Sequence, residues 1–159
     1  TSVKPLFAGD RLAWPGITAR VWWPARVLHE GSIPNNGSVV LTVDVAGLHA
    51  VLLGDIEREA ARAVLAEIRR DPEWQGWAID VVKVAHHGSA NTDPRLLDAL
   101  PGAVAVISVG VGNDYGHPAA STLSDLRSRG FQILRTDLDG DIAIGRPGDG
   151  PLLVSTRGP

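Results

Sequence analysis

A chain of 159 residues in which 44% are hydrophobic and the formal net charge is −3 suits one soluble, globular domain. The chain has no cysteine, which excludes disulfides and cysteine-based zinc or nucleophile chemistry, and its net charge offers no overall basic field for a phosphate backbone. No apolar run approaches the ~18 residues that a membrane span requires. There is also no methionine, even at position 1, so we expect the chain to be a piece of a longer protein.

The first 37 residues form an irregular lead-in to the rest of the chain. Loosely alternating apolar residues predict short strands over 11–14 and 17–23, and a loop rich in Gly, Ser, Pro and Asn follows over 25–37. The tryptophans of the two strands are Trp14, Trp22 and Trp23. Tryptophans in such a setting are more often core or covering residues than a platform for stacked bases, and we favour the first interpretation.

From residue 38 onward, strand and helix patterns alternate. Strands are predicted over 38–45, 48–53, 79–85, 103–109, 131–135, 141–145 and 152–155. Helices are predicted over 56–70, 94–100 and 119–129. In the first helix, Ile56, Ala60, Val64 and Ile68 share one face at a spacing of four residues. This order predicts α/β layering in a single unit that spans residues 1–159.

Polar side chains follow three of these strands at the point where each strand ends. Asp55 follows the strand 48–53, the adjacent pair His86 and His87 follows the next, and His117 follows the third. Functional loops gather at the carboxyl ends of strands in α/β sheets, so we expect these side chains to converge. A carboxylate and neutral imidazoles suit Zn²⁺, Mn²⁺ or Fe, and a cation held by them can polarise a phosphoryl oxygen.

Each of these residues also has an ordinary structural interpretation. Asp55 could be the N-cap of the helix that follows it. His86 and His87 would point to opposite sides if the strand continued, one into the core and one into solvent. His117 could be a simple loop residue before a proline. Ser89 beside His87 suggests a nucleophile, but the G-x-S-x-G pattern of a nucleophile elbow is absent, so we disfavour that interpretation.

Other polar residues could contribute to the same rim. Asn35, Asn36 and Ser38 precede the first long strand and either line the rim or form a turn, and we favour the turn. Arg135 and Arg146 could contact phosphates, although isolated arginines are usually solvated surface groups.

An ordered set of short motifs resembles a known family. The motifs are NGSVVL at 36–41, LLGDIE at 52–57, VKVAHHGS at 82–89, ISVG at 107–110, NDYGHP at 113–118, and RTD at 135–137 before GDI at 140–142. Together they closely resemble the C-terminal part of the metallo-β-lactamase-like domain of the ComEC family, the membrane channel proteins of bacterial DNA uptake. The resemblance runs from about residue 35 to 146. Each motif alone is weakly specific, but the ordered set is specific.

The resemblance implies a metallo-β-lactamase-like αββα sandwich that acts as a metal-dependent nuclease on DNA during uptake. It implies that Asp55 bridges two metal ions, Mn or Zn, and that His87 is a metal ligand. His86 would be a second ligand or a phosphate contact, and which of the two adjacent histidines is the ligand stays open, with His87 favoured. His117 would approach the scissile phosphate or the metal. We therefore expect metal binding by Asp55 and His87 and a catalytic role for His86 and His117.

Three further residues are expected to contact the substrate, namely Asn36, Ser89 and Tyr115. The expected partners are single-stranded DNA, bound transiently, and the remainder of a membrane channel protein. The full-length protein would lie in the plasma membrane, with this soluble domain on the extracytoplasmic side.

The chain departs from the family pattern in one respect. The His-x-His-x-Asp-His metal motif belongs to the N-terminal half of that fold and does not occur here. We therefore expect a fragment, with residues 38–159 as the C-terminal half-sandwich, to be inactive alone and to bind metal weakly or not at all. A complete two-metal site is expected only with the missing half, and self-association could cover the orphaned sheet face.

Two alternatives stay open: a soluble metallo-β-lactamase-fold hydrolase of another pathway, and a non-catalytic module that guides DNA.

Overall fold

The computed structural model of the chain describes residues 4–75, 77–148 and 150–158. The strands are β1 (Arg11–Trp14), β2 (Ile17–Trp23), β3 (Val40–Val45), β4 (Leu48–Leu52), β5 (Val81–Lys83), β6 (Val104–Ile107), β7 (Gln132–Arg135), β8 (Asp141–Gly145) and β9 (Leu153–Arg157). The helices are α1 (Ile33–Asn36), α2 (Arg58–Arg70), α3 (Pro72–Gln75), α4 (Arg95–Asp98), α5 (Ala120–Ser128) and α6 (Thr136–Asp139), and a 3₁₀ turn spans Ala85–Gly88.

The first seven strands form one sheet whose spatial order follows the sequence from β1 to β7. Neighbours are antiparallel from β1 to β4 and parallel from β4 to β7. The predicted hairpin between β3 and β4 turns at Ala46 and Gly47, whose φ angles of 52° and 82° match a turn that needs two positive φ values. The mixed sheet and its helices confirm the predicted α/β class. The lead-in contributes strands β1 and β2 to the sheet.

The main core lies between one face of the sheet and the helices. The predicted apolar face is buried: Ile56, which lies two residues before α2, is fully buried, as are Ala60 and Ile68 of α2, and Val64 is 1% exposed. Leu126 of α5 is also fully buried. Trp23 and Trp22 belong to this core, as expected, whereas Trp14 is 55% exposed. The core therefore fixes the helix layer against the strands whose ends carry the polar loops.

The opposite face of the sheet is only partly covered. A second hairpin, β8–β9, packs over the buried residues Val81, Val104 and Leu134 of the parallel strands. Away from this hairpin, Val45 and Leu52 are 40% and 36% exposed. The two faces of the same sheet thus differ in how completely they are covered.

Several elements differ from the prediction, and one of them is the short helix α1, which lies in the predicted loop 25–37. Helix α2 begins at Arg58 because Gly54–Glu57 form a loop, in which Gly54 has a φ of 57°. Strand β5 is shorter than predicted since the chain leaves the sheet after Lys83 and enters the 3₁₀ turn. Residues 136–139, predicted as a connection, form the single helical turn α6.

Over the part of the chain that the structure describes, no helix combines the length and the apolar character needed to span a bilayer.

Candidate active site

Three loops meet at one edge of the parallel part of the sheet. They follow β4, β5 and β6, and contain Asp55, the pair His86 and His87, and His117. A backbone hydrogen bond of 3.0 Å from His86 N to Gly54 O joins the first two loops, and one of 2.9 Å from Ala119 N to Gly88 O joins the second and third. The expected convergence of the strand ends is therefore present.

The two adjacent histidines lie in an unusual backbone conformation. His86 and His87 have φ angles of 45° and 54°, in the left-handed region, and Gly88 follows at 81°. This region costs a non-glycine residue on the order of 1 kcal/mol, although His tolerates it better than most. The strand does not continue through the pair, so the alternation that would send the two rings to opposite faces does not apply. Backbone conformations of this kind are concentrated at functional sites.

Gly88 allows the histidine turn to pack closely against the third loop. A Cβ atom at position 88 would lie 2.6 Å from Cβ of Pro118, so any other residue would collide with the proline ring. His117 precedes that proline, and its ring centroid lies 5.7 Å from the ring centroid of His86. The small size of Gly88 therefore brings the third histidine to the pair.

His87 and Asp55 face each other across a half-exposed part of the site. His87 Nδ1 lies 2.6 Å from Ser108 O, and because a carbonyl only accepts, Nδ1 carries the proton and Nε2 keeps its lone pair. That Nε2 lies 3.9 Å from Asp55 Oδ1, too far for a hydrogen bond. An ion with ligand bonds of ~2.0–2.2 Å could reach both atoms from between them. The Asp55 and His87 side chains are 42% and 46% exposed.

Asp55 is not the N-cap of α2. The N-cap position belongs to Glu57, two residues later, so the structural alternative for Asp55 is wrong. Its carboxylate is left at the edge of the sheet, opposite His87.

His117 faces the other two histidines from the third loop. Burial lowers its pKa below the ordinary value, and the neighbouring charges of His86 and His87 lower it further. Asn113 holds the loop from both sides, since its side chain accepts from His117 N at 3.2 Å and donates to His117 O at 2.7 Å. Tyr115 stacks on the His117 ring at 6.3 Å between centroids and is 86% exposed. An exposed aromatic ring thus borders the histidine cluster.

Asn36 and Ser89, predicted as substrate contacts, carry structural hydrogen bonds. Asn36 is 2% exposed, and its side-chain oxygen accepts from Glu57 N at 3.0 Å at the start of α2. Ser89 Oγ accepts from Asn91 N at 3.1 Å, and Ser89 O accepts from Thr122 Oγ1 at 3.0 Å. The Asn36 side chain thus stabilises the start of α2, and Ser89 stabilises the loop behind the histidines.

Two charged residues near the site were missed by the sequence reasoning. Glu57 is 7% exposed, and its Oε1 lies 3.6 Å from His86 Nδ1. Lys83 ends β5 and donates to Val84 O at 2.8 Å. Burial lowers the pKa of Lys83, and the charge of Asp55 opposes that change. The only sequence signal was their position: Glu57 follows Asp55 by two residues, and Lys83 precedes His86 by three.

The two arginines considered for phosphate contacts are paired within the chain. Arg135 forms an ion pair with Asp137, and Arg146 forms one with Asp80.

The described residues offer a partial set of metal ligands. No group of three or more His, Asp or Glu side chains in the ranges 4–75, 77–148 and 150–158 is arranged to hold one ion. Asp55 and His87 provide an oxygen and a nitrogen that face each other.

Comparison with known proteins places these motifs in context. No protein-family model matches the chain. The chain is 35% identical over 109 residues, 68% of its length, to ComE operon protein 3 of Bacillus subtilis. It is 29% identical over 87% of its length to competence protein ComA of Neisseria gonorrhoeae, and 27% identical over 86% to recombination protein 2 of Haemophilus influenzae. The matched region spans only 13%, 19% and 16% of these three relatives.

Proposed function

Because the chain belongs to the ComEC family of competence proteins, we propose that it supplies one wall of a metal-dependent phosphodiesterase site that degrades DNA during uptake. The observation that carries this proposal is the pair Asp55 and His87. Their Oδ1 and Nε2 atoms face each other at 3.9 Å, about half exposed, where three strand-end loops converge. A carboxylate and a neutral imidazole in this arrangement suit a divalent cation.

Asp55 and His87 would hold a Mn²⁺ or Zn²⁺ ion from this side. The hydrogen bond from His87 Nδ1 to Ser108 O keeps the Nε2 lone pair directed outward, as metal-binding histidines require. A cation bound there would supply Lewis acidity at a phosphoryl oxygen. Structural or catalytic zinc takes three or four protein ligands, so we propose that the remaining ligands come from residues outside this chain.

His86 and His117 would act on the substrate beside the cation. The lowered pKa of His117 favours its neutral form near neutral pH, and one of its ring nitrogens then has a lone pair for accepting a proton or a hydrogen bond. Tyr115, exposed and stacked on His117, provides a surface on which a base of single-stranded DNA can stack. The proposed acceptor role of His117 and the proposed stacking role of Tyr115 both rest on the position of these rings at the edge of the site.

At the level of the fold, we propose that the chain is about half of a metallo-β-lactamase-like αββα sandwich. The support is the asymmetry of the sheet: helices cover one face, and exposed apolar residues such as Val45 and Leu52 remain on the other. A second sheet packed on that face would bury them. The parent would then be a membrane channel protein that presents this domain on the extracytoplasmic side.

The test is cleavage of single-stranded DNA by the full-length parent protein in the presence of Mn²⁺ or Zn²⁺. We expect Asp55→Ala and His87→Ala each to reduce the rate by roughly 100-fold or more, since each removes a metal ligand. His29→Ala is the matched control, because His29 is exposed in a loop outside the site, and it should leave the rate unchanged.

Two outcomes would count against the proposal. Activity that survives both changes would overturn the site. A parent protein that binds single-stranded DNA but cleaves none with either metal would favour a DNA-guiding module instead.

A further inference from the structure

One buried nitrogen of the site lacks a hydrogen bond. His86 Nδ1 is inaccessible to solvent and has no hydrogen-bond partner among the described residues. A buried polar atom in this state carries a cost, so a polar group close to it is informative. Glu57 Oε1 lies 3.6 Å from this nitrogen, just beyond hydrogen-bond distance. A small rotation of either side chain would close the gap.

The Glu57 carboxylate is held in place from its other side. Oε1 accepts from Asn35 Nδ2 at 2.9 Å, and Oε2 accepts from Ser32 N at 3.2 Å. The backbone N–H of Glu57 is itself bound by the Asn36 side chain. These contacts come from the segment before β3, so the carboxylate is fixed by a different part of the chain from the one that carries His86. Its position therefore does not depend on the imidazole.

We infer that Glu57 is a positioning residue for His86. Its carboxylate accepts a hydrogen bond from His86 Nδ1–H, and this bond sets both the orientation and the tautomer of the ring. A carboxylate can only accept, so the proton sits on Nδ1 and the Nε2 lone pair is left free. The carboxylate–histidine pairs that orient metal-binding and catalytic imidazoles work in this way.

The neighbouring histidine supports this interpretation. His87 is fixed through its own Nδ1, which donates to Ser108 O at 2.6 Å. The two rings are thus held by two different acceptors, a carbonyl in one case and a carboxylate in the other, and both present Nε2. With Glu57 as its acceptor at Nδ1, His86 keeps the Nε2 lone pair free beside the His117 ring, whose centroid lies 5.7 Å from its own.

This inference rests on the proposed function in one respect: a role for His86 Nε2 in DNA cleavage requires the nuclease activity proposed above. The tautomer itself is a property of the chain and needs neither metal nor DNA. Its failure can therefore be distinguished from a failure of the proposed nuclease activity.

The test is nitrogen NMR of the histidine side chains in the ¹⁵N-labelled chain, in which there are five histidines to assign. In the wild type we expect His86 in the Nδ1–H form. Glu57→Leu removes the acceptor and should shift His86 toward the Nε2–H form. Glu57→Gln can place its amide oxygen at the same point, so it should retain the Nδ1–H form.

Glu59→Leu is the matched control. Glu59 lies in the first turn of α2, two residues after Glu57, and accepts from Asn36 Nδ2 at 3.1 Å, whereas no hydrogen bond or ion pair joins it to His86. Glu59→Leu should leave the His86 tautomer unchanged. If Glu57 had a purely structural role, Glu57→Leu would also leave the His86 tautomer unchanged. An Nε2–H tautomer in the wild type, or an unchanged tautomer in folded Glu57→Leu, would overturn the inference. If Glu57→Leu does not fold, the wild type and Glu57→Gln decide.

Discussion

The two sides of the histidine pair are built differently. On the inner side, Asn36 and Glu57 are 2% and 7% exposed, and their polar side-chain atoms bond to neighbouring backbone and side chains. On the outer side, the side chains of Asp55 and His87 are 42% and 46% exposed and face each other without a hydrogen bond between them. The inner groups are satisfied within the chain, and the outer groups are available to a ligand.

This difference follows from the cost of burial. A buried polar group without a partner loses ~1–3 kcal/mol, so the hydrogen bonds of Asn36 and Glu57 on the inner side contribute to stability. An exposed carboxylate can bond to water, so Asp55 can stay without a protein partner at little cost to stability. Changes on the inner side should therefore reduce stability, and changes on the outer side should reduce function with little effect on stability.

The largest effect is expected at Gly88, which joins the two sides. Gly88→Ala places a side chain at a φ of 81° and 2.6 Å from Cβ of Pro118. We expect a loss of roughly 3 kcal/mol in the free energy of unfolding, since strain and collision add. Denaturant unfolding measures it, with Gly110→Ala as the control: a Cβ there would meet nothing within 4 Å. Equal losses for both variants would contradict the close packing at Gly88.

The next largest effect is expected on the inner side. Asn36→Ala leaves the N–H of Glu57 without its acceptor and removes the donor to Glu59 Oε2. We expect a loss of roughly 2 kcal/mol in the free energy of unfolding. Asn91→Ala, an exposed asparagine of the loop behind the histidines, should cost less than ~0.5 kcal/mol. Similar values for the two variants would show that Asn36 is not a structural residue.

A smaller effect on the free energy of unfolding is expected from the titration of His117. Burial, together with the charges of His86 and His87, lowers the pKa of His117 in the folded chain. At pH values between the ordinary pKa and the lower pKa of the folded chain, the unfolded chain binds more of this proton than the folded chain does. The free energy of unfolding therefore decreases as the pH falls through this range. The free energy of unfolding should differ less between about pH 5 and about pH 8 in His117→Gln than in the wild type. An unchanged dependence would contradict the lowered pKa.

The smallest effect on stability is expected on the outer side. Asp55→Asn should change the free energy of unfolding by less than ~0.5 kcal/mol, because the half-exposed carboxylate makes no hydrogen bond to His87. The same change should abolish DNA cleavage by the parent protein. A loss of stability similar to that of Asn36→Ala would show that Asp55 belongs to the structural side.

Local patterns predicted much of this arrangement. The spacing of Ile56, Ala60, Val64 and Ile68 predicted the buried face of α2, and the polar residues after three strands predicted the convergence at the sheet edge. Glu57 escaped prediction because its contact with His86 depends on the backbone at positions 86 and 87, whose positive φ angles no periodicity reveals.

Asn36 was assigned to the substrate for a related reason. Its side chain contacts Glu57 and Glu59, more than 20 positions along the chain, and a turn residue gives no local sign of such contacts. Sequence patterns thus indicated which residues come together. The three-dimensional structure was needed to show which side chains are hydrogen-bonded within the chain and which are available to a ligand.

The most direct measurement of the central claim is a titration of the ¹⁵N-labelled chain with Mn²⁺, followed by paramagnetic broadening of its amide signals. Broadening detects weak binding, which is what two facing ligands would provide. The signals of Asp55 and His87 should broaden first, and Asp55→Asn should remove this selectivity. Broadening that begins at another acidic group, such as Asp137 and Asp139, or that is unchanged in Asp55→Asn, would contradict the assignment of Asp55 and His87 as the metal-binding wall.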